Sequence, residues 1–221
     1  MFSVHIPFSI RHFAAVTKFL LPAALLLLPG FIADAQVRGP LASFTEKVRT
    51  SRIDFTYSYT ASSLRGSGKA SVQKDCFLLT MGNFEIFCDG KQMWTVDREN
   101  KEAVVETVDS PEVAGSLNPA LLVAHLDKAF TVKSSTPLTY KGVAAEKYVL
   151  LPSSAPADLV ELTVTVAADG TAILAARAKV KDGTVTDFTF PSFKISGVSD
   201  ISDFRLSESS FPGDYIITDL R

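Results

Sequence analysis

At Ile53 the chain changes period. Ile53, Phe55, Tyr57 and Tyr59 alternate with Asp54, Thr56, Ser58 and Thr60. A repeat of two belongs to a strand with one buried face, here an aromatic one. Short segments of the same kind follow, each closed by a turn signal. Gly66 and Gly68 turn the chain into a strand over residues 69–74. A more apolar strand, Cys76–Met81, ends at Gly82-Asn83, and Phe84–Cys88 ends at Asp89-Gly90, a strong hairpin signal. Gln92–Asp97 and residues 103–108 make the next pair. Further on, Val160, Leu162, Val164 and Val166 alternate with Glu161, Thr163 and Thr165, after a strand near residues 145–151. Asp169-Gly170 and Asp182-Gly183 then lead into residues 172–180 and 184–195. In the last of these Phe188 and Phe190 share a face, and Pro191 shifts the register, which predicts a bend or bulge.

Many short strands joined by tight turns predict an antiparallel barrel or a strongly curved sheet. Two helices interrupt it. Pro40 suits a first helical turn, with Leu41, Phe44 and Val48 at helical spacing. Asn118 is a good N-cap and Pro119 a good first helical residue. Leu121, Leu122 and Leu126, with Phe130 beyond them, give the second helix its apolar stripe. A polar segment, residues 196–203, precedes an ending that holds Phe204, Phe211 and Tyr215. No linker divides the strands and no fixed-period repeat is present.

Residues 1–35 read as a targeting segment. A run of about ten apolar residues from Phe19 to Leu28 is too short to span a bilayer. It is followed by Pro29-Gly30 and by Ala33-Asp34-Ala35, an A-x-A cleavage signal. The expectation is a signal peptide cut before Gln36, with an uncleaved N-terminal anchor as the alternative. No cysteine follows the cut, so the product is not itself a lipoprotein. Residues 36–221 then form one exported domain.

Catalytic motifs are scarce. Past the targeting segment His125 is the sole histidine, and it lies in a Leu-rich helix where a structural or surface role is the ordinary one. Gly66-Ser67-Gly68-Lys69-Ala70 looks like part of a phosphate loop, but Ser63 and Ala70 stand where Gly and Ser or Thr belong. Asp89 and Asp97 have the ordinary places of turn residues. No metal cluster is visible, and two cysteines are too few for a disulfide scaffold or a four-cysteine zinc site. A net charge of −2 gives no basic surplus for nucleic acid. An apolar content of 47% excludes a disordered chain. The reading is of a protein that is not an enzyme and uses no cofactor.

Cys76 and Cys88 flank the Gly82-Asn83 turn. An odd-numbered loop centred near Gly82 sets them opposite each other, at a separation that suits a disulfide in an oxidising compartment. A register shifted by one residue pairs Cys88 with Phe77 instead and leaves two separate buried thiols.

The stretch Cys88-Asp89-Gly90-Lys91-Gln92-Met93-Trp94-Thr95-Val96-Asp97 resembles the LolA family, the periplasmic carriers of outer-membrane lipoproteins. Its D-G-K-x-x-W core is the most specific part. The Gly-rich strand from Gly66 to Val72, the Pro-led helix at Asn118-Pro119-Ala120-Leu121-Leu122 and the Phe211-Pro212-Gly213 motif follow the family order over nearly the whole exported chain. The resemblance implies a mainly β fold with a few helices (α+β): an incomplete, strongly curved antiparallel β-barrel covered by helices, enclosing an apolar cavity for acyl chains. One departure stands out. Gln73-Lys74-Asp75 replaces the family's Lys-Arg-Pro, and Lys74 keeps a charge without the planar fork of the Arg that helps release cargo.

The resemblance further implies a monomeric periplasmic carrier that takes acylated lipoproteins from an inner-membrane ABC-type lipoprotein-releasing complex. It would pass them to an outer-membrane acceptor. The ligand-binding set would be Ile53, Phe55, Tyr57 and Tyr59 on one strand face. Phe77, Leu79, Ile86 and Trp94 would extend it on neighbouring strands, and Leu121, Leu122 and Leu126 would cover it. Pattern alone also fits a packed core. Three acyl chains would cost on the order of 36 kcal/mol to expose to water at about 0.8 kcal/mol per methylene. Such cargo passes directly from donor to acceptor. The alternatives are a LolA-like lipid-binding protein with another ligand and a filled β-domain with a structural role.

Overall fold

The computed structural model describes residues 39–108, 117–153 and 158–221. Chain contacts divide the protein into Met1–Asp34 and Ala35–Arg221, and the description concerns the second unit. The expected targeting segment lies outside the described residues.

Twelve strands form one sheet: β1 (Arg52–Ala61), β2 (Leu64–Gln73), β3 (Cys76–Met81), β4 (Phe84–Cys88), β5 (Gln92–Asp97), β6 (Glu102–Thr107), β7 (Phe130–Tyr140), β8 (Val143–Pro152), β9 (Leu159–Ala167), β10 (Ile173–Val180), β11 (Val185–Ser196) and β12 (Ile216–Asp219). Their spatial order is β12-β6-β5-β4-β3-β2-β1-β11-β10-β9-β8-β7. Every pairing is antiparallel except β12 with β6, which is parallel. The terminal strands β12 and β7 do not pair, so the sheet stays open. Helices α1 (Pro40–Thr50) and α2 (Pro119–Ala124) pack against it.

Local chemistry explains most of these elements. Pro40 opens α1, and Leu41, Phe44 and Val48 are buried along one side of it. The Asn118 side chain caps α2, its Oδ1 accepting from the backbone N–H of Ala120 at 2.9 Å. At the predicted bulge Thr56 pairs with Ser192 but Ser58 with Thr189, so Phe190 and Pro191 together face Tyr57. The extra residue keeps Phe188, Phe190, Phe193 and Ile195 all packed on the main core across the change of parity.

Three details depart from the sequence reading. Gly66 and Gly68 do not turn the chain; they lie inside β2, and the turn is at Ser62-Ser63, where Ser62 takes φ +52°. The glycines make room for rings. Gly68 is the cross-strand partner of Tyr57, and Gly66 of Tyr59. A Cβ on Gly66 would stand 2.4 Å from the Tyr59 ring. Strand β7 is a polar edge strand, mostly exposed on both faces, so it carries no alternation to read. Its Lys133 and Pro137 are residues that edges tolerate and that discourage further pairing. Strand β12 adds itself to β6 from the far end of the chain.

The sheet curls. Residues of β6 and β11 line one cleft although five strands separate them. In a flat sheet that separation is about 29 Å at roughly 4.8 Å per strand. Only strong curvature brings them round a common space. The concave face carries the main core, to which α1 and α2 contribute. The convex face carries a second, smaller cluster at the β5–β6 end. There Trp94, Val96, Ala103 and Val105 are buried beneath Leu206, Phe211, Tyr215 and Ile217 of the C-terminal segment.

Candidate functional site

The concave face holds an apolar cleft of about 440 Å³. Its floor comes from Tyr57, Tyr59 and Ala61 of β1, Leu79 and Met81 of β3, and Ile86 of β4. Met93 and Thr95 of β5, Glu106 of β6 and Thr186 and Phe188 of β11 complete the walls, and Leu117, Asn118 and Pro119, where α2 begins, line it as well. The volume is in the range of sites that hold small apolar ligands. Two methionines give the wall a soft, adaptable surface. Glu106 is the single carboxylate among the lining residues.

Tyr57 brings a buried polar group to the residues that line this cleft. The residue is 2% exposed. Its hydroxyl is buried and meets no hydrogen-bond partner among the described residues. An unmet buried hydroxyl costs about 1–3 kcal/mol. Burial, with Tyr59 adding to it, pushes its ionisation up to about 12, so at neutral pH it is a neutral donor.

Beside the cleft the interior is packed. Leu122, Val123 and Leu126 lie against Leu162, Val164, Ile173 and Phe190 around a space of only about 10 Å³. That is barely one water. The concave side therefore has an open half over β1–β6 and a filled half under α2.

The predicted set of residues divides accordingly. Tyr57, Tyr59, Leu79 and Ile86 share the cleft. Ile53, Phe55 and Phe77 are buried deeper in the main core without lining the cleft. Leu122 and Leu126 belong to the packed half, while Leu121 is half-buried against the core. Trp94 is on the other face. Phe87 is its cross-strand partner, so alternation sends Trp94 to the convex side and sets Met93 and Thr95 toward Ile86. Among the cleft residues that the sequence reading left out are Met81, Met93, Thr95, Glu106, Thr186 and Phe188. Counting parity through the β4–β5 pairing finds Met93 and Thr95; Glu106 and Thr186 show no apolar pattern that could be read.

Both cysteines are free and buried. The two-residue turn pairs Met81 with Phe84, which aligns Cys88 with Phe77 and sets Cys76 against Gln73. The expected bridge therefore gives way to the shifted register. Burial pushes the Cys88 thiol up to about 12.

Lys74 is exposed in the β2–β3 turn with φ +57°, away from the cleft. Its neighbour Gln73 is buried and holds Ser199, accepting from its N–H at 2.8 Å and donating to its carbonyl at 2.9 Å. Asp75 pairs with Lys128 and stands 3.5 Å from His125, just past the end of α2. Asp89 and Asp97 serve turns. Asp89 accepts from the N–H groups of Lys91 and Gln92, and Asp97 from those of Glu99 and Asn100. Among the described residues no group of three or more His, Cys, Asp or Glu is placed to hold a metal.

No protein-family model and no curated protein matches the chain. Solved structures do. An uncharacterized conserved protein from Thermus thermophilus has a TM-score of 0.54 at 10% identity, covering 81% of this chain and 96% of that one. The likeness is one of fold. An outer membrane lipoprotein-sorting protein domain from Vibrio parahaemolyticus is similar at TM-score 0.45 and 9% identity, over 76% of this chain and 96% of that one. A LolA superfamily protein from Nitrosomonas europaea is similar at 0.39 and 10%, over 80% and 97%.

Proposed function

We propose that this protein is a periplasmic acyl-chain carrier of the LolA type. In this reading residues 1–35 are its signal peptide. The cleft receives acyl chains of lipoproteins from an inner-membrane transporter and yields them to an outer-membrane acceptor. The observation that carries the proposal is the apolar cleft on the concave face, bounded by Tyr57, Tyr59, Leu79, Met81, Ile86, Met93 and Phe188. A carrier of this kind needs a water-shielded apolar surface and no catalytic group. A volume of about 440 Å³ suits part of a lipid rather than three full chains. For a triacylated cargo the packed half under α2 would have to open.

That packed half also supports a second reading, a filled β-domain whose cleft is incidental. Native mass spectrometry of the protein purified from the periplasm separates the two. The carrier reading expects adducts with the mass of a lipid or lipoprotein. A homogeneous ligand-free species that also fails to take up added lipid would favour the filled domain.

A further inference from the structure

The sheet ends in two unlike edges. Strand β7 is polar and carries Lys133 and Pro137, which discourage pairing. Strand β12 instead presents Ile216 and Leu220, 65% and 62% exposed, and its one charge, Asp219, is paired with Arg221. We propose that the outer edge of β12 docks an extended peptide, the segment next to the acylated residue of a lipoprotein cargo, which pairs with it as a further strand. The proposal rests on the reading that the cleft holds acyl chains.

The backbone sets where the peptide binds. The Ile216 N–H donates to the Lys101 carbonyl at 2.9 Å, and the Leu220 N–H to the Val105 carbonyl at 2.8 Å. Alternate residues of a parallel strand bond the same neighbour, so Ile217 and Asp219 turn their N–H and C=O groups away from β6. Among the described residues no strand meets them there. The side chains set the face. Ile217 packs in the convex cluster, so Ile216, Thr218 and Leu220 belong to the concave side. On that side Thr218 pairs with Val104, and Val104 with Thr95 of the cleft wall. Leu220, next along the register, is level with Glu106 of the same wall. A strand added to β12 would lie about 10 Å from β6, two strand spacings away. Acyl chains joined to it therefore have a short path into the cleft along one concave surface. The fitting peptide carries apolar residues at alternate positions, set against Ile216 and Leu220.

The test titrates residues 36–221 with fluorescent probes that share one acyl chain, either as a methyl ester or joined to a short peptide of alternating Val and Thr. The peptide probe should bind about fivefold or more tightly than the ester, the worth of two backbone hydrogen bonds. N-methylation of alternate peptide residues should cancel this gain for one of the two alternate sets and spare it for the other. Asp219→Pro, which removes an outward N–H but no bond to β6, should shrink the gain and leave the ester unchanged. Equal affinity of peptide and ester, equal effects of both N-methylated sets, or an undiminished gain in folded Asp219→Pro overturns the docking site and leaves the acyl reading in place. Self-association of the chain that Asp219→Pro abolishes would assign the edge to a second copy and overturn it as well. Binding of the peptide without the ester would keep the edge and remove the acyl reading. Saturable binding of neither probe overturns both.

Discussion

Tyr57 and Gly68 are cross-strand partners, and a side chain on Gly68 would meet the Tyr57 hydroxyl oxygen at 2.7 Å and the Thr80 carbonyl at 2.1 Å. The carbonyl belongs to the ladder and cannot yield. Gly68→Ala is expected to cost about 2 kcal/mol or more, an overpacking effect. Gly66→Ala meets the Tyr59 ring, which is half-buried and can swing. It should cost less and weaken acyl binding, because the displaced ring moves into the cleft that it lines. Urea unfolding of both variants checks the order, and a Gly68→Ala protein as stable as wild type would contradict it.

The two halves of the concave side respond differently to truncation. Leu122 is in the packed half, so Leu122→Ala should destabilise by about 2–5 kcal/mol. Ile86 borders space that is already open, so Ile86→Ala should cost less than about 1.5 kcal/mol while altering acyl affinity. Thermal unfolding alongside probe binding distinguishes them. Equal losses of stability would mean that the cleft is not open in solution.

His125 gives the protein a pH dependence of stated sign. Burial, helped by Lys128, holds its pKa below the ordinary 6.5 despite Asp75 nearby. The unfolded chain therefore binds a proton on His125 more readily than the folded one. Stability should fall as pH drops through 6.5, and level off below the folded-state pKa. Urea midpoints at pH 7.5 and about 5.5 should differ for wild type and differ less for His125→Gln. A midpoint that rises on acidification, and does so only when His125 is present, would reverse the assignment.

The cysteines should behave as two thiols. Unreduced, denatured protein should label at both positions, and reductant should leave the unfolding temperature unchanged. In the folded state Cys88 should label slowly, since the reactive thiolate is scarce when the thiol pKa is about 12. A single disulfide-linked species in the unreduced protein would contradict the observed register.

Much of this fold is legible wherever one face of an element is buried. The alternation at Ile53–Tyr59, the helical spacing of Leu41, Phe44 and Val48, the Asn118-Pro119 start and the Pro191 bulge all have local causes that a sequence carries. Elements with no buried face are not legible in that way. Strand β7 lies exposed at an edge, and β12 owes its existence to pairing with β6 over a long separation in the chain. The glycines of β2 read as turns because their reason, the two tyrosine rings on β1, lies on another strand. For the same reason the candidate site was visible as a set of apolar stripes and not as a partition. Nothing local says that Leu79 borders open space while Leu122 is packed. Trp94, by contrast, can be set on the face opposite Ile86 by counting parity through the β4–β5 pairing.

One titration tests the acyl-holding cleft most directly. Residues 36–221 are mixed with a fluorescent long-chain acyl probe, with Ile86→Asp as the control. The cleft predicts saturable one-site binding to wild type, and a loss of at least about tenfold in Ile86→Asp, where a carboxylate would be buried against the chain. Circular dichroism should show both proteins folded. Absence of saturable binding by folded wild type, or undiminished binding by folded Ile86→Asp, would contradict an acyl-holding cleft on the concave face of this sheet.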